Sequence, residues 1–359
     1  MGRSFGLAWR LGLFDPGPQP IHYLAEKMDW TIRQDALAYA KALERIHPGL
    51  LRVTDRPECA PGKIAHFGSQ FIWQAWANAL DPRTRCLITY FHGKPEDSPE
   101  MARHVGFFMD NLDRLERVVT AATRIETRLL GWGVPREKLV RVPLGVDLNR
   151  FRPPSAAERT AARKAFGVPE GRLCIGSFQK DGEGWGDGLR PKLIKGPDLF
   201  VDAVARLSRH FPVFVLLTGP ARGFVKQGLE AAGIPFAHHN LPKADMVSDA
   251  FRALDLYIVA SREEGGPKAV IESLATGVPL VSTRVGMAED VIGDSINGFL
   301  VDEPDAEQLA DKAGALLSQP ELAHRFIEQG LQDVRQFSWE VVSEQLYERA
   351  YRDLLKAGQ

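Results

Sequence analysis

Glu264 and Glu272 are two carboxylates with seven residues between them, and Gly265-Gly266-Pro267-Lys268 follows the first. An ionised carboxylate only accepts hydrogen bonds, so beside a bound polyanion its natural partners are hydroxyl groups. An apolar β-type run, 254–260, precedes the pair, and a helical stretch runs from 267 to about 276 and stops at Gly277. The paired glycines suit a tight turn with close backbone approach. Pro267 suits a first helical turn, and Gly277 suits a helix end. Such a strand–glycine–helix junction presents unpaired N–H groups and the positive end of a helix dipole, which together attract an anion. A diphosphate at the junction, with hydroxyl-rich groups for the two carboxylates, describes a nucleotide sugar: its ribose and its transferred sugar. Spacing alone does not decide this. Glu340 and Glu348 have the same spacing in the terminal helix, where a solvated face is the expectation.

The elements that would position this junction can be read along the chain. Short β-type runs at 21–25, 63–67, 86–91, 117–122 and 139–143 alternate with helical stretches, the first at 31–45. The alternation breaks at 147–155, where Phe151-Arg-Pro-Pro154 reads as a stiff linker. It restarts with strands at 173–178, 213–217, 254–260 and 278–283, and an amphipathic helix at 197–210. Strand and helix in alternation imply α/β domains with doubly wound parallel sheets. The expected domains are 1–150 and 151–338. Residues 339–359 form a terminal helix, with Val341, Val342, Leu346, Tyr347, Ala350 and Leu354 apolar, expected to pack back on the N-terminal domain. Ligands of doubly wound sheets lie beyond the carboxyl ends of the strands, so two in tandem are expected to face a central cleft.

Composition narrows the function. A chain of 359 residues is long enough for two domains. Hydrophobic and charged shares of 44% and 25% are ordinary for a soluble protein. The net charge of −1 gives no electrostatic basis for bulk nucleic-acid binding. Residues 1–150 hold 21 Lys+Arg against 17 Asp+Glu, or +4, and the remainder 24 against 29, or −5. Cys59, Cys86 and Cys174 are far apart and make neither a metal pair nor a disulfide framework. No apolar run reaches membrane-spanning length, and the opening residues lack the continuous apolar core of a signal peptide. A cytoplasmic protein is expected. Arg3, Trp9 and Arg10 among apolar residues, with the basic N-terminal half, point to weak peripheral contact with the inner face of a membrane.

The stretch 264–272, followed by Ser-Leu-Ala-Thr-Gly-Val-Pro-Leu-Val, resembles the E-x7-E donor signature of retaining glycosyltransferases of family 4, the glycosyl transferases group 1 with the GT-B fold. Thr89-Tyr-Phe-His-Gly93 resembles the family's N-domain strand ending in His-Gly. Gly133-Val-Pro-Arg-Glu-Lys-Leu-Val-Arg-Val-Pro-Leu-Gly-Val-Asp147, with Phe151-Arg-Pro153, resembles its approach to the interdomain linker, and Phe337-Ser-Trp339 the start of its final helix. The resemblance implies an acceptor-binding N-terminal and a nucleotide-sugar-binding C-terminal Rossmann-like domain. It places Glu264 at the transferred sugar and Glu272 on the ribose diol. Gly265 and Gly266, with Pro267 and Lys268 behind them, fall where the chain meets sugar and phosphate. Lys195, in Ile-Lys-Gly-Pro197, matches the diphosphate lysine, and His92 matches the histidine that faces the donor sugar. It also implies retention of configuration and no metal or other cofactor, and the sequence contains no Asp-x-Asp.

The chain departs from the family in two places. Gly176-Ser-Phe-Gln-Lys180 stands where a Gly-Arg pair is usual, so Lys180 is the replacement phosphate cation, ahead of Arg190. Asp181-Gly-Glu-Gly-Trp-Gly-Asp-Gly188 then reads as a flexible insertion that could cover the donor. Its acidic residues argue against a dinucleotide loop. In the N-terminal domain Glu26-Lys-Met-Asp-Trp-Thr-Ile32 replaces a glycine-rich loop. There Asp29 and Trp30 read either as sugar-facing groups or as an ordinary helix start capped by Asp29. His66, Ser69 and Trp73 are further candidate acceptor contacts, and His238-His239 reads as a strand end near the nucleotide base. The expected function is glycosyl transfer from a nucleoside diphosphate sugar to a glycan, lipid-linked or small-molecule acceptor, in bacterial surface polysaccharide or glycoconjugate synthesis. The rivals are a non-catalytic nucleotide-sugar-binding partner of a membrane enzyme, and a sugar-nucleotide epimerase of the same fold.

Overall fold

The structure is a computed structural model and describes residues 11, 17–27, 31–57, 61–243, 246–302 and 304–356. The chain divides into two units, residues 1–145 with 339–359, and residues 146–338. Arg3, Trp9, Arg10, Asp29, Trp30 and Cys59 lie outside the described residues.

The N-terminal unit is built on β1 (Ile21–Leu24), β2 (Leu51–Thr54), β3 (Ile64–Phe67), β4 (Arg85–Thr89), β5 (Leu115–Thr120) and β6 (Leu139–Arg141). They form one parallel sheet in the order β2-β1-β3-β4-β5-β6. Every residue of β1 and β3 is buried, as expected of central strands covered on both faces. One of those covers comes from the end of the chain. Val342, Leu346, Ala350, Tyr351 and Leu354 share a core cluster with Tyr23, Tyr39 and Leu43. The terminal stretch is not one uniform helix. An α-helix (Trp339–Leu346) widens into a π turn (Tyr347–Tyr351) before a last α-helical turn (Arg352–Lys356). Trp339 lies so close to Gly145 that a Cβ there would collide with its ring.

The second unit holds β7 (Leu173–Phe178), β8 (Val213–Thr218), β9 (Phe236–His239), β10 (Leu256–Val259), β11 (Leu280–Thr283) and β12 (Phe299–Val301). All pair in parallel, in the order β12-β11-β10-β7-β8-β9. Counted within the unit this is 6-5-4-1-2-3, the dinucleotide-binding arrangement read from the other side. Helix Pro197–Leu207 buries Phe200, Ala203, Val204 and Leu207, one face at i, i+3, i+4 and i+7, against Ile175, Val215 and Leu309. The strand order reverses between β7 and β10, and the crevice beyond their carboxyl ends is where doubly wound sheets take ligands.

Candidate functional site

Three loops meet beyond the ends of β7 and β10, and their backbones bond to one another. The 3-10 turn Leu193–Lys195 leads into Gly196, which has a φ of +62°. Only glycine fits there, because a Cβ would strike the Ala260 carbonyl. The Ile194 carbonyl accepts the N–H groups of Arg262 and Glu263 at 2.8 and 3.1 Å. Arg262 also donates to both oxygens of Asp198, at 2.8 and 2.6 Å. That paired hydrogen bond holds the Asp198 carboxyl below its ordinary pKa. The turns carrying Lys195 and Glu264 are thus stitched together from both sides.

Lys195 and Glu264 themselves form an ion pair, Nζ to Oε1 at 2.6 Å, with side chains 19% and 13% exposed. Ser261 Oγ donates to the same carboxylate oxygen at 3.0 Å, and Gln179 Nε2 donates to the Lys195 carbonyl at 3.1 Å. Gly286, with φ of +47°, backs the junction: a Cβ there would lie 2.6 Å from the Glu264 carbonyl oxygen. Gly265 and Gly266 lead into helix Lys268–Thr276, with Pro267 at its N-cap rather than inside its first turn. Glu272 lies in the middle of that helix. Burial pushes the Tyr257 hydroxyl above the usual tyrosine range, and the charges of Glu272 and Glu264 push the same way. Both carboxylates therefore act on Tyr257, whose oxygen accepts the Phe178 N–H at 2.8 Å.

The cations sort differently from the expectation of a single substitute for the missing arginine. Lys180 Nζ sits 3.5 Å from the centroid of the Trp185 ring, a cation–π contact. Arg190 is largely exposed and lies 3.7 Å from Glu183. Lys192, which sequence reasoning passed over, is drawn below the ordinary lysine pKa by burial and then by the charge of Lys195, with Lys180 adding to the effect. Lys180 and Lys195 thus act on Lys192 in one sense, and the carboxylates of Glu264 and Glu183 oppose them.

The 181–188 insertion is tied at several points. Asp181 and Arg222 form a buried ion pair, Oδ1 to Nε at 2.9 Å, with side chains 1% and 0% exposed. Arg222 further donates to the Ser177 and Thr218 carbonyls and to Ser177 Oγ. Burial raises the Asp181 pKa and lowers that of Arg222, so each charge is kept by the other. The Lys192 N–H donates to the Asp181 carbonyl at 2.7 Å. Helix Gly223–Ala231 adds the N–H groups of Gly223 and Phe224, which donate to the Asp187 and Gly188 carbonyls. The insertion is therefore anchored at its base and along its far side, which corrects the expectation of a flexible segment. No pattern in the sequence advertises Arg222, since a buried arginine looks like any surface one.

His238 Nε2 is bonded to the Gly219 carbonyl at 2.7 Å and His239 Nε2 to that of Phe166 at 3.4 Å. In the N-terminal unit, His92 follows β4 in a segment held by Gln70. Three candidate acceptor contacts are overturned there. Ser69 is spent on capping helix Gln70–Trp76, and Trp73 is 1% exposed and packs on Phe107. His66 is 1% exposed, with Nδ1 bonded to the Tyr351 hydroxyl at 2.5 Å and Nε2 to Thr89 Oγ1 at 2.9 Å. Burial pushes its pKa down to about 3, which leaves the ring neutral.

Two parallel Rossmann-like sheets, the second with its polar junction at the switch point, define a GT-B fold. Anabaena HepE, solved in complex with UDP-glucose, superimposes with a TM-score of 0.73 at 18% identity, covering 94% of this chain and 99% of that one. Residues 189–333 match the family model described as glycosyl transferases group 1. The chain is 30% identical over 234 residues to a D-inositol 3-phosphate glycosyltransferase of Segniliparus rotundus, covering 62% of this chain and 48% of that one. It is 29% identical over 237 residues to the lipopolysaccharide core biosynthesis mannosyltransferase LpsB of Rhizobium meliloti, covering 63% and 62%. The chain thus spans about half to three fifths of the length of these curated relatives.

Proposed function

We propose that this protein transfers a glycosyl group, with retention, from a nucleoside diphosphate sugar to an acceptor hydroxyl in bacterial surface polysaccharide or glycoconjugate synthesis. The observation that carries this reading is the Lys195–Glu264 pair, held by mutually bonded loops at the switch point between β7 and β10. Departure of a nucleoside diphosphate builds charge on its terminal phosphate. Lys195, the neighbouring Lys180 and Lys192, and the start of helix Lys268–Thr276 are the positive groups for that charge. A diphosphate would draw Lys195 away from Glu264 and leave that carboxylate for a sugar hydroxyl. Glu272 would bind the ribose diol, and Gly265 and Gly266 would let the backbone approach. The positive charge comes from side chains and the helix, so the proposed step needs no metal. His92 takes the family role at the transferred sugar. The N-terminal unit binds the acceptor, and contact with a membrane is at most peripheral. The neighbour solved with UDP-glucose and the relatives named as sugar transferases support this reading.

Titration calorimetry with a panel of nucleotide sugars tests it. One of them should bind, and Glu272→Gln should weaken that binding while leaving the melting temperature unchanged. Glu340→Gln, the equally spaced glutamate of the terminal helix, should leave it untouched. Equal affinity in wild type and Glu272→Gln would remove the ribose role.

A further inference from the structure

β4 ends at Thr89, and the Tyr90 N–H still reaches the Val119 carbonyl of β5 at 2.8 Å. From Phe91 to Lys94 the chain has left the sheet, and its backbone polar groups need other partners. Gln70 supplies two of them. It is fully buried, at 0% exposure, and opens the helix that Ser69 caps. Its Oε1 accepts the Phe91 N–H at 3.2 Å, and its Nε2 donates to the His92 carbonyl at 2.9 Å. Beyond His92, the Tyr90 hydroxyl donates to the Gly93 carbonyl at 3.4 Å and the Lys94 N–H donates to Asp97 at 2.8 Å. Gly93 has a φ of +115°, and a Cβ on it would lie 2.6 Å from the Met101 sulfur.

We infer that Gln70 is a positioning residue for His92: one side-chain amide grips the Tyr90–Phe91 and His92–Gly93 peptide groups, which bracket Phe91 and His92, and so sets the direction in which the His92 imidazole leaves the chain. The inference rests on the role of His92 in the transfer proposed above. The task suits an amide alone, since it offers an acceptor and a donor on one rigid plane. Leucine offers neither. A carboxylate keeps the Phe91 bond but turns a second acceptor toward the His92 carbonyl oxygen. The grip is also sheltered, because with Gln70 at 0% exposure water does not compete for it.

The test measures transfer and donor affinity in wild type, Q70L, Q70E, H92A and the Q70L/H92A double variant, with the His92 imidazole signal followed by NMR. Q70L should lower kcat by about ten- to a hundredfold, the cost of a misplaced group, and leave donor affinity intact. It should shift the His92 signal, and it should cost nothing further once His92 is gone, since coupled residues are not additive. If Q70L does not fold, Q70E keeps the shape and should show the same pattern. A wild-type kcat in Q70L, or the same fold-loss with and without His92, would overturn the inference. Absence of transfer by the wild-type protein with every nucleotide sugar would instead overturn the glycosyl-transfer reading, and this inference with it.

Discussion

The strand ends of the two sheets solve the same problem in opposite ways. In the second unit the polar groups beyond β7 and β10 are charged: Lys195 with Glu264, Arg262 with Asp198, and Arg222 with Asp181. In the first unit the groups at the ends of β3 and β4 are neutral and locked into the interior. His66 bridges Tyr351 and Thr89, and Gln70 serves only backbone. A partly exposed charged pair such as Lys195–Glu264 can exchange its partner for a charged ligand, whereas the buried Asp181–Arg222 pair is held in the interior. A neutral buried net gives up its bonds only at the cost of leaving polar atoms unsatisfied. Likeness of sheet therefore does not carry likeness of the groups at the strand ends.

The sharpest break of this contrast is to strand a charge. Asp181→Ala leaves Arg222 buried without its counter-ion and should cost about 3–5 kcal/mol of stability. Urea unfolding of the two variants separates the cases, since His66→Gln in the neutral net strands no charge and should cost less. Equal losses would erase the distinction. Next comes Lys195→Ala, which should lower kcat by an amount equivalent to about 2.7–4 kcal/mol of transition-state stabilisation. Its melting temperature should stay close to that of the wild type. Steady-state kinetics at saturating donor decides the point, and a near-wild-type kcat would take Lys195 out of the site.

The effect that is smallest per step is read by pH. The folded protein holds His66 neutral down to about pH 3, whereas an unfolded histidine takes up a proton near pH 6.5. Its contribution is therefore present above 6.5 and is lost progressively as pH falls from there toward 3, at about 1.4 kcal/mol per pH unit. Urea midpoints at descending pH should fall less steeply in His66→Gln than in wild type. Parallel slopes would mean that another group refuses the proton.

Much of the fold was legible, and what was missed has a common cause. The strands read from apolar runs include every central strand of both sheets. Those passed over, β2 and β12, and β9, read only through its end at His238-His239, all lie at sheet edges. β2 and β9 are only partly buried and β12 has three residues, so none shows the apolar run of a strand covered on both sides. In the site, Glu264, Glu272 and Lys195 stood out because glycine, proline and strand signals surround them. Arg262, Arg222, Gln70 and Lys192 did not, because their work depends on loops that meet only after folding. His66 misled for the converse reason, since a histidine at a strand end looks the same whether it faces a ligand or a buried tyrosine.

The order in which the chain is made gives the last helix a particular weight. Residues 146–338 form a continuous unit and can fold as soon as they are synthesised, whereas the first unit is split around them. Its core waits for Val342, Leu346, Tyr351 and Leu354. Until the final stretch emerges, the nascent first half presents unsealed apolar surface and a His66 whose Tyr351 partner does not yet exist. The stretch that closes this core is translated after the whole second unit, so a ribosome that stops before residue 339 releases a chain for chaperones and proteases rather than a slightly shortened protein.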